Sequence, residues 1–132
     1  MIGKNGARDI ATGRRKYRLK AIKKDLGENV HTLALDVRDK DAIGAAVKKL
    51  PEEFSAVDVL VNNAGLALGH MAPFDETKET DLAQMIETNV MGVVHCTHAL
   101  LPGMVARNRG HIVNLSSIAG TYPYPGGNVY GA

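Results

Sequence analysis

Residues 57–65 read VDVLVNNAG, a valine-rich apolar run that breaks into two asparagines, an alanine and a glycine. Such a pattern is typical of a buried strand that ends in a turn. Two other segments have the same form, VHTLALDV at 30–37 and HIVNLSS at 111–117, and a shorter one, IAT, lies at 10–12. The chain therefore contains four candidate strands, each followed by polar residues or glycine.

Helical spacing of apolar residues separates these strands. It predicts three helices, over residues 15–26, between Asp39 and Pro51, and over about 77–106. Gly27 is the expected C-cap of the first helix, Asp39 the N-cap of the second, and Pro102 marks a kink or a boundary in the third.

Alternation of strands and helices predicts an α/β fold with a doubly wound parallel sheet, covered by helices on both faces. Ligands of such sheets bind beyond the carboxyl ends of the strands. Polar residues and glycines cluster at those ends: Thr12 to Arg15, Asp36–Val37, Asn62 to Gly65, and Ser116–Ser117. We therefore expect a ligand site there.

Composition is that of an ordinary globular protein, with 132 residues, 45% of them hydrophobic and 23% charged. The single cysteine excludes an intramolecular disulfide, and no apolar run approaches the ~20 residues of a membrane span. Nine of the sixteen Lys and Arg residues lie in 1–24, which could mark a phosphate or nucleic-acid surface or a solvated helix face. We expect a cytoplasmic protein that binds neither nucleic acid nor a membrane.

Several motifs together resemble the short-chain dehydrogenase/reductase family. They are NNAG at 62–65, Asn89 within TNVMG, HIVNLSS at 111–117, and Tyr130 within YPGGNVYGA. ATGRR and LDVR are most similar to the NADP-dependent 3-hydroxy acid dehydrogenases of that family. The resemblance covers about residues 10–132. It implies a Rossmann-like fold and hydride transfer between NADP(H) and a small hydroxy acid or another alcohol or carbonyl substrate.

Catalytic roles follow from the resemblance. Tyr130 would be the general base, and Ser117, 13 residues earlier, would orient the substrate oxygen. A tyrosine pKa near 10 requires a nearby positive charge, and the family places a lysine four residues further, at a position that would be 134. Asn89 would help to hold a water-linked proton path to that lysine. Alternatively, it satisfies backbone groups at a helix kink.

Cofactor contacts are implied in the same way. An acid after the first strand would bind the ribose 2′-hydroxyl of NAD, whereas this chain has Arg14 and Arg15, whose guanidinium groups suit the extra phosphate of NADP. Asp36 and Val37 correspond to residues that contact adenine, and Asn63 to the turn beside a ribose. NNAG could otherwise be a plain β-turn.

Two other groups of residues carry side chains that could bind a metal or act in catalysis. His95, Cys96 and His98 lie together on the long helix, but no further ligands converge on them, so we expect no metal site. Tyr122 and Tyr124 do not have the family's separation from Ser117 and are expected to line the substrate entrance.

Residues 1–9 do not match the family's glycine-rich phosphate loop, TGxxxGxG, and are expected to form an irregular tail. The pattern therefore resembles a single partial dinucleotide-binding domain, 1–132, incomplete at both ends. The strand preceding that loop would lie between the strands at 10–12 and 57–61, and its absence leaves a gap in the sheet. Residues 1–132 by themselves are expected to be inactive. The alternative is a non-catalytic binding or assembly module. Family members form dimers or tetramers through the helix over 77–106, so a homo-oligomer is expected.

Overall fold

The structure is a computed structural model that describes residues 6–69, 72–122 and 124–132. Four strands and six helices occur in these ranges: β1 (Asp9–Gly13), α1 (Lys16–Leu26), β2 (Val30–Ala34), α2 (Lys40–Lys48), α3 (Glu52–Ser55), β3 (Val59–Asn62), α4 (Glu79–Ile86), α5 (Gly92–Ala106), β4 (His111–Asn114) and α6 (Asn128–Gly131). The strands pair in parallel, which confirms the α/β prediction.

The first of two structural units is β1–α1–β2. β1 and β2 are paired in register from Asp9 with Val30 to Gly13 with Ala34. The buried side chains of Leu19, on α1, and Val30 contribute to the core of this unit. α1 ends at Gly27, whose φ of 63° is readily adopted only by glycine, so the predicted C-cap is confirmed.

The second unit contains β3 and β4, which are paired from Val59 with His111 to Asn62 with Asn114. Among the described residues, no backbone pairing joins this pair of strands to β1 and β2. Two separate strand pairs agree with the predicted gap in the sheet. Val59 and Val61 are 52% and 47% exposed, so β3 presents apolar surface there.

Contacts between α2 and α5 link the two units. α2 begins after Asp39, whose carboxylate accepts a hydrogen bond from the backbone N–H of Ala42 at 2.8 Å, as predicted for an N-cap. α2 ends at Lys48, before Pro51, and the short helix α3 that follows Pro51 was not predicted. Ile43 is the buried residue of α2.

The long helix differs from its prediction in two respects. Residues 79–106 are helical throughout, but Glu87–Met91 form a wider π-helical turn between α4 and α5. Pro102 lies inside α5, which continues to Ala106, so the proposed boundary at Pro102 is wrong. A proline removes only one backbone hydrogen bond, and burial of Met104 helps to hold the last turn. No helix in the described ranges is long and apolar enough to cross a membrane.

Candidate active site

Arg14 and Arg15 follow β1 at its carboxyl end, and both are exposed. The pairing of β1 with β2 extends one residue further, because the backbone N–H of Leu35 donates to the carbonyl of Gly13 at 3.1 Å. The residue after Leu35 is Asp36. The strand register therefore places Arg14 and Arg15 in the chain next to the segment that carries the predicted adenine contacts.

Asp36 is held by Arg38. Nη2 of Arg38 donates to Oδ2 of Asp36 at 2.7 Å, and Nε lies 3.1 Å from both carboxylate oxygens. The hydrogen bond from Arg38 lowers the pKa of Asp36 below its ordinary value; burial opposes this shift, and the charge of Arg14 adds to it. Asp36 is consequently an ionised, paired carboxylate.

Val37 packs against the start of α5. A Cβ atom added to Gly92 would lie 2.7 Å from Cγ2 of Val37, so only glycine fits there without a shift. One turn along α5, Nδ1 of His95 lies 3.4 Å from the carbonyl oxygen of Val37. Sequence reasoning did not single out Gly92 or Arg38. A glycine inside an apolar helical run was the available signal for Gly92.

The two asparagines after β3 have different surroundings. Asn62 is 8% exposed, and its Nδ2 donates to Oδ1 of Asn114 at 2.8 Å and to Oγ1 of Thr97 at 3.2 Å. It therefore joins β3 to β4 and α5. Asn63 is exposed and free to meet a ligand, as its predicted role requires.

Asn89 lies in the π-helical turn and faces the loop after β3. Its Nδ2 donates to the carbonyl of Leu66 at 2.8 Å, and its Oδ1 accepts from the N–H of Leu66 at 2.9 Å. This side chain satisfies backbone groups of the loop after β3, and not backbone groups of the helix as in the alternative role predicted for it. A part in proton transfer stays a prediction.

Ser117 caps a 3₁₀ turn, Ile118–Gly120, and its Oγ accepts a hydrogen bond from the N–H of Ala119 at 3.2 Å. A hydroxyl that accepts in this way keeps its proton for donation to another oxygen. Ser117 is half-buried, whereas Ser116 is exposed.

Tyr130 lies in α6, which contacts both the 3₁₀ turn after Ser117 and helix α4. The structure thus places the two predicted catalytic side chains on contacting elements. Tyr130 is half-buried and lines a cavity of about 210 Å³ together with Leu68, Met85 and Tyr124. Tyr122 is 70% exposed and is not among the residues lining this cavity.

Metal ligands do not converge in the described part of the chain, where no group of three or more His, Cys, Asp or Glu side chains could hold an ion. Cys96, between the two histidines of α5, is half-buried, and burial raises the pKa of its thiol. A raised pKa disfavours the reactive thiolate at neutral pH.

Comparison with known proteins gives concordant results. The family model described as short chain dehydrogenase matches residues 1–132. A curated NADP-dependent 3-hydroxy acid dehydrogenase, YdfG, of Salmonella typhi is 56% identical over 128 residues, which cover 97% of this chain and 51% of that protein. The chain spans about half the length of the curated relatives it matches.

Solved structures agree in fold. The crystal structure of serine dehydrogenase from Escherichia coli superposes with a TM-score of 0.95 at 51% identity, over 98% of this chain and 60% of that one. The closed form of serine dehydrogenase complexed with NADP⁺ gives 0.96 at 51% identity, over 98% of this chain and 52% of that one. These likenesses confirm the predicted Rossmann-like fold. Its motifs, its fold and the family match over residues 1–132 show that this chain belongs to the short-chain dehydrogenase family.

Proposed function

We propose that this chain provides the cofactor and catalytic residues of an NADP-dependent oxidoreductase that acts on a small 3-hydroxy acid. The observation that carries the proposal is the placement of Ser117 and Tyr130 on contacting elements, with Tyr130 lining a cavity. The relatives named for NADP-dependent 3-hydroxy acid and serine dehydrogenation support the choice of substrate and cofactor.

In the oxidation direction, the hydroxyl proton of the substrate leaves as the C–H bond breaks. Bound NADP⁺ supplies the hydride acceptor. Tyr130, the proposed general base, takes the proton through its oxygen, and Ser117 donates a hydrogen bond to the same substrate oxygen. The hydrogen bond that Ser117 already accepts from Ala119 orients its hydroxyl. Asn89 holds the loop after β3 through Leu66.

Cofactor binding is assigned to the carboxyl ends of the strands. Arg14 and Arg15 are exposed and form no ion pair with any residue in the described ranges, so they fit the extra phosphate of NADP. Asp36 and Val37 would border the adenine. Asn63, exposed after β3, would border a ribose.

A homo-oligomer, a dimer or a tetramer, is proposed on the surface of the long helix. Apolar side chains between 39% and 68% exposed run along α4, the π-helical turn and α5: Ile86, Val90, Met91, Val94, Leu101 and Val105. Exposed apolar stripes of this kind mark association surfaces. In this proposal the stripe packs against another copy of the protein.

The test is NADPH formation by the complete gene product with NADP⁺ and L-serine, L-allo-threonine or 3-hydroxybutyrate, with lactate as the matched 2-hydroxy control. Turnover of the 3-hydroxy acids, and little with lactate or with NAD⁺, is expected. Binding of NADP⁺ without turnover of any of these hydroxy acids would favour the alternative, a non-catalytic binding module. Absence of both binding and turnover would overturn the proposal.

A further inference from the structure

The carboxyl ends of β1 and β2 bring together charges of both signs. Arg14 and Arg15 follow β1, and Asp36 follows β2 one residue beyond the last strand-to-strand hydrogen bond. A phosphate bound by the two arginines would therefore have a carboxylate as a close neighbour. The two negative charges would repel one another, and an unpaired Asp36 would also compete with the phosphate for Arg14.

Arg38 removes this conflict in the structure. Its guanidinium group binds both oxygens of Asp36, at 2.7 and 3.1 Å, and its backbone N–H donates to Oδ1 at 3.1 Å. The side chains of Arg38 and Asp36 are only 32% and 28% exposed, so solvent screens their interaction incompletely. This forked geometry is one that arginine provides and lysine does not.

A second carboxylate fixes Arg38 from the other side. Oε2 of Glu87, at the start of the π-helical turn, lies 3.8 Å from Nη1 of Arg38. Because Glu87 is 56% exposed, this contact is weaker than the pair with Asp36. Loss of Arg38 would leave two carboxylates without their cation near the end of β2.

We propose that Arg38 determines cofactor specificity: by neutralising Asp36, it allows Arg14 and Arg15 to favour the phosphorylated dinucleotide, NADP, over NAD. This proposal rests on the proposed function. It assigns to Arg38 an indirect role, through Asp36, and no contact with the phosphate. Loss of Arg38 must therefore change the ratio of Kd for NAD⁺ to Kd for NADP⁺, since NAD lacks the extra phosphate that Asp36 would repel.

The experiment measures Kd for NADP⁺ and NAD⁺ by calorimetry on the complete gene product. Arg38→Gln is expected to lower the preference for NADP⁺ by about tenfold, because the charge of Asp36, no longer neutralised, would repel the extra phosphate. Asp36→Asn is expected to raise that preference about threefold. The double variant should return to within about threefold of the wild type. The matched control is Arg109→Gln, which breaks a 2.8 Å pair with Asp58 at the amino end of β3 and should leave the ratio unchanged.

Each other result decides against the proposal. Equal losses for both dinucleotides in Arg38→Gln would show a merely structural role. A double variant as poor as Arg38→Gln would show that Arg38 binds the phosphate itself. Should Arg38→Gln not fold, Asp36→Asn alone decides, since a lowered or unchanged ratio overturns the proposal. Wild-type protein that binds neither dinucleotide would overturn the proposed function as well. If the wild type prefers NADP⁺ and Arg38→Gln has the same ratio of dissociation constants, only the proposal about Arg38 is overturned.

Discussion

The side chain of Asn89 and the backbone of Leu66 are joined by two hydrogen bonds, of 2.8 and 2.9 Å, that satisfy both the N–H and the C=O of Leu66. The amide thus supplies both hydrogen-bond partners of this loop residue. It fastens the loop after β3 to the π-helical turn, and through that turn to α4 and α5.

Replacement of Asn89 by alanine should cost about 1–3 kcal/mol in the free energy of unfolding, because two partly buried backbone groups lose their partner. Urea denaturation measures this loss. The control is the neighbouring Thr88→Val: Oγ1 of Thr88 is buried without a partner in the described part of the chain, so its removal should leave stability unchanged or raise it. Equal losses in both variants would contradict this account of Asn89.

Asn62 and Asn63 should differ in their contribution to stability. Asn62→Ala removes the hydrogen bonds to Asn114 and Thr97 at a buried position, and should destabilise by about 1–3 kcal/mol. Asn63→Ala changes an exposed side chain and should stay within about 0.5 kcal/mol of the wild type. Chemical denaturation of both variants tests this, and a larger loss in Asn63→Ala would refute the assignment.

Alanine should have opposite effects at two helical glycines. At Gly92 the added Cβ would meet Val37 at 2.7 Å, and we expect a loss of about 1–3 kcal/mol, more than the gain in helix propensity. At Gly44 of α2 nothing lies within 4 Å of the added atom, so Gly44→Ala should stabilise by about 0.5–1 kcal/mol. Thermal unfolding distinguishes the two, and a stabilised Gly92→Ala variant would argue against this contact.

Stability should depend on pH through Asp36. Its pKa in the folded state lies below the ordinary 3.8, so its contribution is fully present above that value and is lost as the pH falls through the lowered pKa. The difference in unfolding free energy between the wild type and Asp36→Asn should therefore shrink in acid. In an Arg38→Gln background this pH dependence should be smaller. An undiminished dependence there would show that Arg38 is not the main cause.

The sequence predicts the strands and most helices of this fold because their signals are local. Apolar runs that break into polar residues or glycine locate the strands, Asp39 caps α2, and Gly27 ends α1. The π-helical turn at Glu87–Met91 was missed; its Asn89 contacts a loop 23 residues away, a contact that local patterns do not show. The boundary predicted at Pro102 was wrong because local propensity ignores the packing of the last turn.

The same difference between local signals and long-range contacts applies to the residues of the candidate site. Arg14, Arg15, Ser117 and Tyr130 were given predicted roles from motifs of the linear sequence, and these roles stay predictions. Arg38 and Gly92 were not, because their importance comes from what they contact: the carboxylate of Asp36 and the side chain of Val37. Pairings between separate elements of this kind become visible only in the folded chain.

Tyr130 is proposed here as the acid–base group of an NADP-dependent dehydrogenase. The most direct test compares kcat for 3-hydroxy acid oxidation in the wild type, Tyr130→Phe and Tyr17→Phe, the last a 66% exposed tyrosine on α1. If Tyr130 transfers the proton, kcat should fall at least about a hundredfold in Tyr130→Phe, with an unchanged Kd for NADP⁺, and Tyr17→Phe should keep full activity. A Tyr130→Phe variant that turns over within twofold of the wild type would contradict it.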